Sequence, residues 1–173
     1  ELAKREASAR VIMMDPNIRP LFISEPGIYR KRLTQMIACC DIVKVSDDDL
    51  HWIISGDATL KEKALALRAL GPKVVIVTKG SEGSVAYISD SESVEAAAHK
   101  VSVVDTVGAG DTFNAGVLAK LSQLGLLTKE AIGSLDADDM RAALRFGSEV
   151  ASITVSRPGA NPPNLAELSQ GFR

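Results

Sequence analysis

The spacing of apolar residues switches repeatedly between a strand period and a helix period along this chain. Val11-Ile12-Met13-Met14 is a short apolar run stopped by Asp15-Pro16-Asn17, the pattern of a buried strand entering a turn. Ser24-Glu25-Pro26 predicts a helix start with Pro26 at the first helical position, and Ile28, Leu33, Met36 and Ile37 then fall roughly on one face. A second strand, Ile42 to Val45, runs into Ser46-Asp47-Asp48-Asp49, an N-cap followed by carboxylates that the helix dipole favours. Leu60, Ala64, Leu65 and Leu67 mark a further helix, which Gly71-Pro72 stops.

Val74-Val75-Ile76-Val77 is short, β-branched and apolar on both faces, as a central parallel strand between two helical layers requires. Gly80 and Gly83 turn the chain into Ser84 to Ile88. The alternation of Val94, Ala96 and Ala98, and then of Val101 and Val103, predicts a pair of strands near an edge. From Asp111 onward the pattern is helical: Phe113, Val117, Leu118 and Leu121 on one helix, Met140, Leu144 and Val150 on the next. Arg157 to Pro163 reads as loop, with a short helix after it. The alternation of types predicts one α/β domain over residues 1–173, three-layered, with a mostly parallel sheet flanked by helices.

Composition narrows the chemistry. At 173 residues with 46% hydrophobic and 24% charged residues, the chain has the balance of a folded globular domain. A net charge of −2 supplies no basic field for nucleic acid or anionic lipid. Its apolar runs are far too short to cross a membrane. Cys39 and Cys40 are adjacent and cannot staple a fold, so a reducing, cytoplasmic setting is expected. The opening residues Glu1 to Ala7 read as mid-helix without a cap, as in a piece of a longer chain.

The informative stretch is Val104-Asp105-Thr106-Val107-Gly108-Ala109-Gly110-Asp111-Thr112-Phe113-Asn114-Ala115-Gly116. It opens a strong helix, and Gly108, Ala109 and Gly110 clear side chains from the entrance. The amides of Ala109, Gly110 and Asp111 are therefore free to face an anion, with the helix dipole behind them. Asp111 would repel a phosphate that was merely bound there. It has a use if it accepts the proton of an alcohol attacking that phosphate. Plain helix capping is the competing reading of Asp111. There is no Gly-x-x-x-x-Gly-Lys-[Ser/Thr] motif, and Phe113 stands where a dinucleotide fingerprint needs its third glycine.

The nine consecutive positions Asp105 to Phe113 resemble the C-terminal signature of the PfkB, or ribokinase-like, family of carbohydrate kinases. Three more segments agree in order. Asp15-Pro16-Asn17-Ile18-Arg19 looks like the family's Asp-x-Asn-x-Arg strand end. The run Val75 to Gly83 is similar to its Thr-x-Gly-x-x-Gly nucleotide loop, and the tail through Gly159-Ala160 resembles its closing segment. The likeness covers the chain as roughly the C-terminal half of a family member, so the N-terminal part and the small β lid are expected to be absent.

The resemblance implies a ribokinase-like fold and ATP-dependent phosphoryl transfer to a sugar. Asp111 would be the catalytic base, and Gly108, Ala109 and Gly110 would build the anion hole with it. Thr78, Gly80 and Gly83 would lie along ATP. Asp105 and Thr106, with backbone from Ser156 to Ala160, would hold a monovalent cation such as K+. Asp49 stands where the family has Asn-x-x-Glu and would organise Mg2+ through water, although solvated, dipole-stabilising aspartates fit Ser46 to Asp49 equally. Asp15 to Pro20 and Val43 to Asp47 look most like bacterial fructokinases, which makes fructose, phosphorylated at C6, the expected acceptor. Kinases of ribose, 2-keto-3-deoxygluconate or a nucleoside share parts of these motifs, and a non-catalytic nucleotide-binding module is the competing class. A homodimer joined through the lid is a further expectation.

Overall fold

In the computed structural model, which describes residues 1–168, the apolar runs become strands and the one-sided stretches become helices. The order begins α1 (Leu2–Glu6), β1 (Met13–Met14), α2 (Pro26–Ile37), β2 (Ile42–Ser46), α3 (Asp47–Ile53) and α4 (Leu60–Arg68). It continues β3 (Val74–Thr78), β4 (Ser84–Tyr87), β5 (Ser93–Ala96), α5 (Ala109–Gln123), α6 (Lys129–Ile132) and α7 (Ala137–Val155). Short 3-10 turns occupy Pro20–Phe22, Gly80–Glu82 and Leu165–Glu167.

The strands form one five-stranded sheet in sequence order. β1, β2 and β3 are parallel, as the pattern predicts, whereas β4 and β5 return antiparallel. The reversal follows from the turn after β3, where Lys79 N–H donates to the Gly83 carbonyl at 2.8 Å. So short a link has no room for a crossover helix.

Alternation along each strand divides the interior in two. Ile42, Val74, Ile76, Ala86 and Val94 face Phe113, Val117 and Leu121 of α5 and Met140 and Leu144 of α7. Val43, Val45, Val75, Val77 and Val85 face Leu33 and Ile37 of α2, Leu50 of α3 and Leu67 of α4. That gives the three layers, each fully buried aliphatic side chain contributing roughly 1.5–3 kcal/mol. Trp52 packs against this second cluster: Tyr29 meets it edge-on at 5.7 Å and the Arg30 guanidinium lies 3.8 Å above its ring. Burial pushes the Cys40 thiol up to about 11, so it stays a protonated packing group.

α5 and α7 touch through two glycines. A Cβ on Gly116 would stand 2.7 Å from Gly147 Cα, and one on Gly147 would meet Val117 Cγ2 at 2.8 Å and the Phe113 carbonyl oxygen at 2.9 Å. Because backbone atoms are involved, no rotamer change relieves the clash. Gly147→Val is expected to cost about 3 kcal/mol, at or above the usual range for overpacking. A urea titration would read this as a lower midpoint at unchanged slope, and an unshifted midpoint would mean the helices can separate.

Two sequence expectations are corrected. Val101 and Val103 form no strand; Val101, Val103, Val104 and Val107 are exposed. This segment spends its backbone hydrogen bonds on α7 instead: His99 N–H donates to Ser148 Oγ, and the amides of Val104 and Asp105 to the Val155 carbonyl. The helix expected from Asp111 begins two residues earlier, at Ala109, with Gly108 as its N-cap.

α4 opens with a capping box that the apolar pattern does not reveal. Thr59 Oγ1 accepts from Glu62 N–H, and the Glu62 carboxylate accepts from the Thr59 N–H and hydroxyl. Those donors hold the Glu62 carboxyl below its usual 4.5. A carboxylate with a depressed folded pKa adds stability above its unfolded value and loses it as pH falls through the folded one. Glu62→Gln is therefore expected to be less stable than the parent near pH 7, with the gap closing below about pH 4 in melting curves.

Candidate functional site

The sheet face under α5 and α7 changes character toward the C-terminal ends of the parallel strands. Ile42 gives way to Lys44 on β2, Ile76 to Thr78 on β3, and Ala86 to Ser84 on neighbouring β4. Open α/β sheets place ligands at this end of their strands. A cleft of about 470 Å³ opens there, bounded by Lys44, Thr78, Gly80, Gly83 and Ser84 from the sheet side, by Thr106 from the loop before α5, and by Ala109, Gly110 and Phe113 from α5. Ser148, Ala151, Ser152 and Val155 of α7 close its far wall together with Ala98, His99, Val101 and Val103. His99, one of these wall residues, is exposed. A second hollow of about 520 Å³, between Glu95 to His99 and the sides of α5 and α7, holds none of the motif residues.

The start of α5 supplies the anion-facing groups. Gly108 sits at φ +79° with no side-chain cap, and a Cβ there would press on the Ala160 Cβ at 3.0 Å. One of the three expected amides is not open: Ala109 N–H turns back to the Thr106 carbonyl at 3.2 Å. The Gly110 and Asp111 amides keep no partner among the described residues, which leaves two donors at the positive end of a 15-residue helix. The Asp111 side chain is exposed beside them, and the Thr112 hydroxyl closes the turn by donating to the carbonyls of Gly108 and Ala109.

Beneath this turn lies a polar group that sequence reasoning did not assign. Lys44 is buried, with Nζ 2.9 Å from Asp15 Oδ2, and the same oxygen accepts from Asn114 Nδ2 at 3.1 Å. A Cβ on Gly110 would stand 3.1 Å from Lys44 Nζ, so the ammonium lies directly behind the entrance. The available signal was a lysine set among Ile42, Val43 and Val45, since lysine is almost never buried without a partner.

The other expected residues divide by position. Thr78, Gly80 and Gly83 share the cleft with Ala109 and Gly110. Gly83 admits no side chain: its φ is +96° and a Cβ would lie 2.2 Å from the Ala96 carbonyl oxygen. Thr106 lines the cleft as well, and Asp105 beside it works as a clamp. Its carboxylate accepts from Val107 N–H at 3.0 Å and from Gly159 N–H at 2.9 Å, joining the α5 approach to the tail. These backbone donors, Val107 first, hold the Asp105 carboxyl below the usual 3.8 and keep it ionised. Asp49 is not among the residues lining the cleft. It is buried at the start of α3, where Oδ1 accepts from Ile18 N–H at 3.1 Å and ties down the loop after β1. Arg19, in that same loop, donates to the Ile18 carbonyl and makes neither an ion pair nor a cleft contact among the described residues.

Known proteins resemble this chain in sequence and in fold. A family model described as pfkB family carbohydrate kinase matches residues 1–167. The chain is 48% identical over 143 residues to a fructokinase of Rhizobium leguminosarum bv. trifolii, covering 81% of this chain and 42% of that protein. The crystal structure of a fructokinase with bound ATP from Xylella fastidiosa superposes with a TM-score of 0.79 at 24% identity, over 91% of this chain and 50% of that one. An aminoimidazole riboside kinase from Salmonella enterica, complexed with aminoimidazole riboside and an ATP analog, gives 0.70 at 26% identity, over 87% and 47%. The chain thus spans about half the length of the proteins it matches, or somewhat less. Matched by that model over nearly its whole length, the chain belongs to the pfkB family of carbohydrate kinases.

Proposed function

We propose that this chain is the nucleotide-side half of an ATP-dependent sugar kinase that transfers the γ-phosphoryl group to a primary hydroxyl of a hexose, converting fructose to fructose 6-phosphate. One observation carries the reading: two amides at the start of α5 have no partner among the described residues, the first on Gly110, which lines the cleft, and the second on Asp111, whose exposed carboxylate shares that turn. The 48% identity to a fructokinase favours fructose over the other acceptors.

The reaction assigns each group a task. ATP lies in the cleft along Thr78, Gly80 and Gly83, its γ-phosphate at the Gly110 and Asp111 amides. The Asp111 carboxylate takes the proton of the sugar hydroxyl as that oxygen bonds to phosphorus and the bond to ADP breaks. The amides hold charge as it spreads over the phosphoryl oxygens, and buried Lys44 places a fixed positive charge behind them.

Mg2+ would neutralise phosphate charge; Asp49, buried outside the cleft lining with Oδ1 accepting from Ile18 N–H, would meet it only through water, from its other carboxylate oxygen. A K+ ion fits beside the Asp105 carboxylate, which is held ionised next to the Gly159 backbone. We place the sugar contacts, the lid and a lid-mediated homodimer on segments outside this chain, and the protein in the cytoplasm. Among the described residues no helix is long and apolar enough to cross a membrane. The test is an acceptor screen with the full-length protein: fructose should exceed ribose, 2-keto-3-deoxygluconate and nucleosides in kcat/KM, and Asp111→Asn should lower turnover on fructose about a thousandfold. Equal turnover on every acceptor would sink the assignment.

A further inference from the structure

Ser84 stands out once the cleft is in view. It is the first residue of β4, follows Gly83 directly, and pairs with Thr78 on one side and Ala96 on the other. Its neighbour Ala86, on the same strand face, packs in the core with Phe113, so Ser84 faces the α5 side, where the cleft is. The residue is only 4% exposed, yet it lines the cleft. Its Oγ is buried and has no hydrogen-bond partner among the described residues. An orphaned hydroxyl costs free energy in the folded state, so a buried one at the wall of a binding cleft calls for an explanation.

We propose that Ser84 Oγ hydrogen-bonds the nucleoside portion of the bound nucleotide and is a specificity-determining residue of this site. The inference rests on the nucleotide reading given above. The cleft has its amide donors and Lys44 at the phosphate end, while Ser84 sits on the sheet wall opposite α7, beside the glycine loop. A nucleotide anchored by phosphate at Gly110 and Asp111 runs past this wall. Its ribose and base carry polar atoms there that need partners once water is displaced. The hydroxyl can donate or accept, so it suits either kind of atom. The orphan is therefore satisfied only in the complex. Its desolvation is already complete in the free protein, which makes the bond selective for a ligand that presents a polar atom at that point.

This assignment has a signature that an idle core hydroxyl lacks, because the same substitution acts with opposite signs on the free and bound protein. In the full-length protein, Ser84→Ala is expected to leave the melting temperature of the ligand-free form unchanged or raised. It should weaken ATP binding in titration calorimetry by about tenfold, the order expected for one lost hydrogen bond to a site built around it. Inorganic triphosphate, which has no nucleoside, should bind the variant and the parent equally. Equal ATP affinity in variant and parent, with the parent binding ATP normally, overturns the role of Ser84 while leaving the nucleotide site standing. Equal weakening of ATP and triphosphate also overturns it, because the hydroxyl would then serve the phosphates. A parent that binds neither ligand removes the nucleotide reading itself and this inference with it.

Discussion

Asp111→Asn in the full-length protein should lower kcat for sugar phosphorylation by about a thousandfold, or roughly 4 kcal/mol of transition-state stabilisation. The substitution keeps the size and shape of the side chain and leaves both open amides of the α5 entrance in place. Only the capacity to take a proton disappears. ATP affinity should hold or improve slightly, because a carboxylate beside the incoming phosphate repels it. The KM-against-kcat split therefore separates this residue from a helix cap: losing a cap would lower the melting temperature and leave chemistry intact. Among the described residues the Asp111 side chain makes no hydrogen bond that holds α5 together; that turn is closed by the Thr112 hydroxyl. Turnover within about threefold of the parent at saturating ATP and Mg2+ would remove Asp111 as the base.

How much of this site the sequence displays depends on how far apart its members lie along the chain. The stretch from Asp105 to Phe113 is legible because one loop and one helix start bring all its groups together without help from the rest of the fold. Gly83 is legible for the same reason, with its tight turn written into the residues around it. The Lys44, Asp15 and Asn114 cluster is not: its bonds link positions 29 and 99 residues apart, and no local pattern announces them. The Ala109 amide lies beyond what the sequence displays. Small residues predict room at a helix entrance but not which N–H folds back on a preceding carbonyl, here that of Thr106.

The layers read well and the sheet order less so. Strands buried on both faces, such as Val74 to Val77, declare themselves by composition. The direction of β4 is decided by the five-residue link 79–83, and the fate of Val101 and Val103 by whether a partner strand is within reach. α7 took those backbone bonds instead, and that bent the segment over the strand ends to form one wall of the cleft. The departure from simple alternation is thus what gives the site its depth.

Lys44→Met should show how closely stability and chemistry are joined beneath that cleft. Lys44 and Asp15 side chains keep only 7% and 17% of their exposure, and their 2.9 Å contact is direct. Removing the lysine leaves the carboxylate with the Asn114 amide and the Asn17 N–H as its remaining donors. Breaking one side of a buried pair costs about 3–5 kcal/mol, and the partial exposure of Asp15 puts the expected loss near the lower figure. Adding Asp15→Asn to Lys44→Met removes the stranded charge, so the double variant should recover most of that stability, and a double-mutant cycle should give a coupling of about 2 kcal/mol. Catalysis should not recover with it. The ammonium also lies behind Gly110, where positive charge favours the phosphoryl oxygens as they gain charge, and the double variant lacks it. The expected result is a protein that melts near the parent temperature yet turns over at least about tenfold more slowly at saturating ATP. A double variant with both stability and kcat restored would reduce Lys44 to a strut under the helix, and the charge behind the anion hole would have to come from bound metal alone.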